Sequence, residues 1–239
     1  MNHVHVIVVP LHPPTIPTPL EAVLTPAERD RRDRFVFARD RCAYTVCRGA
    51  LRHILAEAVS MAPDAVTFRE GPYGKPALVH PPLPFNVSHS GDMALIAVCP
   101  DGPVGVDIER ERPLSDLFAL ARRHFSPTEQ ATLAALPTAL HVPAFFRCWS
   151  RKEAFIKAIG LGLHFPLHDF DVSLDPREPA QIIAVRDRRY ANTPWTVHDL
   201  DVAEGYSAAL VTQGPATITV SPFELASLQG DVPSARRST

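Results

Sequence analysis

The sequence predicts an α+β protein, in which strands and helices are grouped rather than regularly alternating. Residues 104–109 alternate between apolar and other side chains, as a strand does, and residues 145–159 carry apolar side chains at helical spacing. Further strand-like pieces follow these helical residues, at 169–174, 181–185, 195–200 and 206–212. The similarity of residues 91–98 to residues 204–211 hints at two similar halves.

The first half begins with the apolar residues 3–9. They lack a basic flank and are too short for the apolar part of a signal peptide or for a membrane span, so they predict a strand that enters the core. Thr25-Pro26-Ala27-Glu28 resembles a helix N-terminus with proline at its first position, and an arginine-rich helical tract follows to about Val59. Residues 93–98 predict another strand.

Pro100-Asp101-Gly102-Pro103 is the strongest break along the chain and marks the predicted boundary between the halves. The second half continues from the strand at 104–109 into helical tracts at about 115–135 and 143–159. We therefore predict an N-terminal half at 1–102, a C-terminal half at 103–220 and an extension at 221–239 that is partly flexible.

Composition excludes several classes of protein. Hydrophobic residues make up 46% of the 239 residues and charged residues 21%, which is typical of a protein with a sizeable core. The net charge of −2 argues against a broad nucleic-acid or membrane surface. The four cysteines lack zinc-site spacing and predict reduced thiols in a cytoplasmic protein.

Lysine is rare. Of the 24 basic side chains, only Lys75, Lys152 and Lys157 are lysines. An ammonium group is a compact point charge on a flexible stem, which suits a phosphate approached from one side or a mobile proton. Lys152 falls within the apolar stripe of the helix at 145–159, where it must reach the surface or meet a buried anion.

Three carboxylates are candidate metal ligands. Asp107 and Glu109 share one face of the strand at 104–109, while its valines and isoleucine share the other. Glu153 flanks the apolar stripe of the helix, where a carboxylate is costly unless it is paired or binds metal. The alternatives to a metal site are two. The strand acids could simply be solvated, and Glu153 could form an ion pair with Lys157 one helical turn away, worth about 0.3–0.5 kcal/mol. Oxygen donors without imidazole or thiolate favour Mg²⁺ over Zn²⁺.

A third cluster, Phe85-Asn86-Val87-Ser88-His89-Ser90, contains a hydroxyl and an imidazole that can donate to a phosphate. It follows the turn Gly74-Lys75-Pro76 by about ten residues. A structural role for this histidine is the alternative.

Four motifs together resemble the 4′-phosphopantetheinyl transferases of the surfactin-synthetase-activating type, over roughly residues 1–215. They are Tyr73-Gly74-Lys75-Pro76, Phe85-Asn86-Val87-Ser88-His89-Ser90, Val104-Gly105-Val106-Asp107-Ile108-Glu109 and Trp149-Ser150-Arg151-Lys152-Glu153-Ala154-Phe155-Ile156-Lys157. The resemblance implies a pseudo-dimer of two similar α+β halves with coenzyme A in the cleft between them. It implies Mg²⁺-dependent transfer of the 4′-phosphopantetheine arm to a serine of an acyl or peptidyl carrier protein, with release of adenosine 3′,5′-bisphosphate.

The resemblance also implies roles for individual residues. The metal ligands would be Asp107, Glu109 and Glu153, and the catalytic residues Glu153, Lys157 and Lys152. The region of the coenzyme A 3′-phosphate would be held by Arg31, Arg48, Lys75, Ser88 and His89. Some relatives carry lysine where this chain has Glu28, so the early helix would contribute less here.

Carrier choice would depend on the variable segment at 111–125, whose residues 112–118 resemble a carrier-docking region or form a plain core helix. An internal duplication would make a monomer sufficient.

Glu153 could take the serine proton directly or through a water molecule, and the relayed route is favoured because metal binding lowers a carboxylate's basicity. A Mg²⁺-dependent nucleotide hydrolase and a non-catalytic coenzyme A-binding protein are the competing functions.

Overall fold

The computed structural model describes residues 1–224 and confirms the α+β class. The strands in this part of the chain are β1 (Asn2–Pro10), β2 (Phe68–Glu70), β3 (Pro76–Leu78), β4 (Phe85–Ser90), β5 (Met93–Val98), β6 (Val104–Arg110), β7 (Phe170–Val172), β8 (Ile182–Val185), β9 (Trp195–Asp199), β10 (Tyr206–Gln213) and β11 (Ala216–Pro222). The α-helices are α1 (Thr18–Ala22), α2 (Pro26–Asp33), α3 (Ala38–Ala58), α4 (Leu117–His124), α5 (Pro127–Ala135) and α6 (Thr138–Ala158).

Two helical tracts that the sequence predicted as continuous are each divided in two. The tract to Val59 breaks between α2 and α3, where Phe37 adopts an extended backbone with φ −92° and ψ 138°. The tract at 115–135 breaks at Ser126, whose hydroxyl accepts the Glu129 N–H while the Glu129 carboxylate accepts the Ser126 N–H. This reciprocal cap starts a new helix at Pro127.

Contacts among the described residues group Met1–Val8 with Thr67–Ser221 in one compact unit and place the helical segment Val9–Val66 in a second. The division at residue 102 stays a prediction, and most of the extension at 221–239 lies outside the described residues. None of the helices within residues 1–224 is long and apolar enough to span a membrane. The four cysteines are free thiols.

The larger unit contains two main sheets, with strand orders β11-β1-β5-β4 and β6-β10-β9. The similar segments at 91–98 and 204–211 contain strands in corresponding places, since β5 pairs antiparallel with β4 and β10 pairs antiparallel with β6. Gly91 and Gly205 precede these two strands with φ of +58° and +76°, a region that glycine enters without steric cost. The weak sequence similarity thus has a structural counterpart.

The predicted alternation along β6 is confirmed. Its apolar face lies in a core shared with β5 and β10, and Val104, Val106 and Ile108 are at most 1% exposed. Its other face packs on α6 at Gly105, where an added Cβ would lie 2.0 Å from the Ala154 carbonyl oxygen and 2.4 Å from the Ala158 nitrogen. Glycine therefore sets how closely the acidic strand approaches the helix.

Replacing Gly105 by alanine should destabilise the protein, because the new methyl group meets backbone atoms that cannot rotate away. Overpacking of this kind costs about 1–3 kcal/mol, or a melting-temperature loss of about 2–12 °C for a chain of this size. Thermal unfolding followed by circular dichroism measures the loss. Gly102→Ala is the matched control, since its Cβ would meet nothing within 4 Å. Equal melting of the two variants would contradict this reading of the strand–helix contact.

In the helical unit, the predicted N-terminus at Thr25 is confirmed as a reciprocal cap with Glu28. Glu28 is buried and accepts hydrogen bonds from Arg52, at 2.8 and 3.0 Å, and from Arg48. Burial alone would raise the pKa of Glu28, but these guanidinium groups lower it to about 2. Glu28 therefore anchors the start of α2 to two arginines of α3.

Candidate active site

One open pocket brings together the motifs at 85–90, 104–109 and 149–157. It is lined by Val87, Ser88 and His89 of β4, by Asp107 and Glu109 of β6, and by Trp149, Glu153 and Lys157 of α6. Residues far apart in sequence thus meet because β6 lies between β4 and α6.

Asp107 forms the floor of this pocket and is 3% exposed. Its Oδ1 accepts a hydrogen bond from the Lys157 ammonium at 2.6 Å and another from the Ser88 hydroxyl at 2.8 Å. Its Oδ2 is buried without a hydrogen-bond partner. Burial raises the pKa of Asp107, and the charge of Lys157 opposes the rise. The carboxylate therefore has one oxygen held by the protein and one left for a ligand.

The other two carboxyl groups of the pocket, Glu109 and Glu153, also have raised pKa values. Burial and the charge of Asp107 raise the pKa of Glu109, whose Oε2 accepts a hydrogen bond from Ser90 at 3.0 Å. Burial, followed by the charge of Asp107, raises the pKa of Glu153 to about 7. A carboxyl group with this pKa can exchange a proton near neutral pH.

Lys157 and His89 supply the donors of the pocket. The ammonium group of Lys157 forms an ion pair with Asp107 across the pocket. Its ion-pair partner is therefore Asp107, and not Glu153 as in the alternative considered from the sequence. His89 is exposed at the pocket wall, where partial desolvation and the charge of Lys157 lower its pKa.

The donor set fits a hard divalent cation in chemistry. Three carboxylates line one pocket, and one buried oxygen of Asp107 has no protein partner. Oxygen ligands of this kind suit Mg²⁺. Within residues 1–224, however, no three histidine, cysteine, aspartate or glutamate side chains already surround a common metal position. Binding would therefore require the acids to draw together.

Lys152, which the resemblance implies to be a catalytic residue, lies in the core of the structure. Its side chain is fully buried, and its ammonium lies 2.8 Å from Glu129 Oε1 and donates to the carbonyl oxygens of Leu167 and Phe170, each at 2.7 Å. It also lies 4.1 Å from the Phe170 ring centroid. Glu129 is thus the buried anion expected for a lysine in the apolar stripe, and Lys152 does not line the pocket.

Lys75 lies next to the site without lining it. Its ammonium donates to the Val104 carbonyl at 3.0 Å and to the Lys157 carbonyl at 2.7 Å, and so ties the last turn of α6 to the start of β6. Burial and the charge of Lys157 lower its pKa to about 8. These carbonyls take two of the three N–H donors of the ammonium, which leaves one for a further acceptor.

The two predicted arginines belong to the helical unit. Arg48 pairs with Glu28, and the Arg31 guanidinium lies 5.8 Å from the Tyr44 ring centroid. Their role toward coenzyme A stays a prediction. In the predicted docking segment, Leu117 lies in the core while Phe118 is 40% exposed, so this helix has both a core face and a surface face.

Sequence reasoning missed two features of the pocket. It assigned no role to Trp149 of the fourth motif, although Trp149 lines the wall. It did not assign Ser90 a role, although its hydroxyl holds Glu109. The alternation Asn86-x-Ser88-x-Ser90, which puts three polar side chains on one face of a strand, was an available signal.

Comparison with known proteins identifies the family. Residues 103–211 match the 4′-phosphopantetheinyl transferase superfamily, and residues 18–101 match the N-terminal part of a 4′-phosphopantetheinyl transferase. The chain is 40% identical to 4′-phosphopantetheinyl transferase HetI from Nostoc sp. over 167 residues, covering 68% of this chain and 70% of that protein. It is 33% identical to 4′-phosphopantetheinyl transferase psf-1 from Bacillus pumilus over 190 residues, covering 79% and 78%.

A solved holo-(acyl-carrier-protein) synthase from Bacillus anthracis, in complex with CoA (3′,5′-ADP), aligns with a TM-score of 0.36 at 23% identity, over 46% of this chain and 92% of that one. The two relatives are each more than 30% identical and are matched over more than two thirds of their lengths. Their names agree with both family matches. The chain therefore belongs to the 4′-phosphopantetheinyl transferases, enzymes that transfer the phosphopantetheine arm of coenzyme A to carrier proteins.

Proposed function

We propose that Asp107, Glu109 and Glu153 hold the Mg²⁺ on which transfer depends, and that Glu153 and Lys157 act on the reacting groups. The observation that carries this proposal is the meeting of three carboxylates and one ammonium in a single pocket, with the pKa of Glu153 raised to about 7. Mg²⁺ bound there would neutralise charge on the pyrophosphate of coenzyme A.

The reaction is a displacement at the β-phosphate of coenzyme A. The serine oxygen of the carrier forms the new P–O bond, the bond to the bridging oxygen breaks, and adenosine 3′,5′-bisphosphate leaves with that electron pair. Glu153 takes the serine proton directly or through a water molecule, and the relayed route is favoured because bound Mg²⁺ would lower the basicity of this carboxylate. Lys157 is placed to stabilise the developing negative charge on the phosphate.

We propose that His89, exposed at the pocket wall, contacts a phosphate of coenzyme A, and that Arg31, Arg48 and Lys75 supply charge for its 3′-phosphate. Ser88 is better placed to act on the site itself, because its hydroxyl already donates to Asp107 and accepts from Lys157 at 2.9 Å.

The four motifs in order, and the match to psf-1 over most of both chains, support the surfactin-synthetase-activating type with an acyl or peptidyl carrier as acceptor. We propose that one chain suffices, as a monomer in the cytoplasm, and that the exposed side of α4 around Phe118 meets the carrier.

Incubation with coenzyme A, Mg²⁺ and apo carrier domains tests the activity by mass spectrometry. We expect the carrier to gain one phosphopantetheine, and only when Mg²⁺ is present. Cleavage of coenzyme A with no gain of mass on any carrier of an acyl and peptidyl panel would instead favour a hydrolase. Binding of coenzyme A without cleavage would favour the non-catalytic alternative.

A further inference from the structure

The hydrogen bonds between β4 and β6 form a regular pattern. Strand β6 ends its sheet, and its outward N–H groups are bonded by side chains of β4 rather than by backbone. Asn86 Oδ1 accepts the Val106 N–H at 2.8 Å, the Ser88 hydroxyl faces the Ile108 N–H at 3.4 Å, and the Ser90 hydroxyl accepts the Arg110 N–H at 3.1 Å. We call this arrangement the side-chain ladder of Asn86, Ser88 and Ser90.

Both serines of the ladder make a second bond of the same kind. Ser88 donates to Asp107 Oδ1 at 2.8 Å, and Ser90 donates to Glu109 Oε2 at 3.0 Å. Each hydroxyl therefore receives the N–H of the residue that follows an acid and gives its own proton to that acid. A hydroxyl that accepts from a fixed backbone donor has fewer directions open to its own proton.

We infer that Ser90 is a positioning residue for Glu109, and that the ladder presets the two strand acids for the divalent cation. The Asn86 rung lies beside Gly105, which has no side chain to hold, so only the two serine rungs can act on ligands. By engaging one oxygen of each carboxylate, the serines leave the second for the cation, as the unpartnered Oδ2 of Asp107 shows for the first acid. The inference rests on the metal assignment made above.

Residues that orient metal ligands typically change metal affinity by about 10–100-fold when they are removed. We therefore expect Ser90→Ala to weaken binding of Mn²⁺, used as a spectroscopic substitute for Mg²⁺, by about tenfold or more. Electron paramagnetic resonance of free Mn²⁺ measures the dissociation constant without a turnover assay. Ser90→Thr keeps the hydroxyl and should bind close to wild type.

Two variants separate positioning from structure. Ser207→Ala removes a matched serine–glutamate bond, from Ser207 to Glu111 at 2.7 Å, on neighbouring β10 and outside the pocket. Asn86→Ala removes a rung of the ladder that touches no site acid. We expect both to bind Mn²⁺ within about twofold of wild type, whatever their melting temperatures, against the tenfold effect at Ser90.

The outcomes distinguish the inference from the metal assignment. If wild type binds Mn²⁺ and Asp107→Asn does not, but folded Ser90→Ala binds as wild type does, the positioning role of Ser90 is wrong and the metal site stands. Weakening by Asn86→Ala equal to that by Ser90→Ala would reduce the ladder to a purely structural feature. If wild type and Asp107→Asn bind alike, the metal assignment fails and the inference falls with it.

Discussion

Replacing Glu153 by glutamine is expected to lower the rate of phosphopantetheine transfer by at least about a hundredfold while coenzyme A stays bound. The amide cannot accept the serine proton, and it is a poorer ligand for a cation than a carboxylate. A loss of about 3 kcal/mol of transition-state stabilisation corresponds to this factor at 1.36 kcal/mol per tenfold. Single-turnover assays with an apo carrier measure the rate, and calorimetry measures coenzyme A binding. Equal rates for both proteins would remove Glu153 from the chemistry.

The same variant should be more stable than wild type in the absence of metal, and increasingly so as pH rises. The folded protein holds the Glu153 proton up to a pKa of about 7, whereas the unfolded chain loses it near 4.5. The folded state therefore binds more protons between these values, and its stability falls as pH increases through this window. Glutamine removes the penalty of about 1–3 kcal/mol. Melting curves with a chelator at pH 5 and pH 8 should show a clearly larger gain at pH 8.

Replacing Lys152 by methionine is expected to cause the largest loss of stability, about 3–5 kcal/mol, because Glu129 would be left charged and unpaired in the core. For a chain of this size the loss corresponds to a fall in melting temperature of about 6–20 °C. Chemical unfolding of Lys152→Met measures it.

The double variant Lys152→Met, Glu129→Gln is the control for this prediction. It removes the unpaired charge, although the single oxygen of glutamine can accept only one of the N–H groups of Ser126 and Val172, which bind different oxygens of Glu129 at 2.8 Å each. Part of the lost stability should therefore return. If instead Lys152→Met melts like wild type but fails to transfer, Lys152 has a catalytic role after all.

Local patterns in the sequence were enough to identify most of the pocket. Alternation along 104–109 placed Asp107 and Glu109 on one face of a strand, and helical spacing placed Glu153 beside a buried stripe. These periodicities arise within single elements, so a sequence reveals them directly.

Long-range partners could not be read in this way. Lys152 meets Glu129 and two carbonyls from another segment, and Lys75 meets the carbonyls of Val104 and Lys157. The residues next to a lysine in sequence do not show which distant carbonyl groups it will bind, because every residue has a backbone acceptor. The break before α3 was missed for a different reason, since Phe35-Val36-Phe37 contains neither glycine nor proline.

The terminal position of β6 in its sheet bears on how this protein behaves in concentrated solution. An uncovered sheet edge offers a row of N–H groups to strands of other molecules, which leads to intermolecular pairing and aggregation. Here amide and hydroxyl oxygens from β4 occupy alternate N–H groups along that edge. Asp107 and Glu109 can therefore lie on an edge strand whose outward N–H groups are not available to pair with a strand of another molecule.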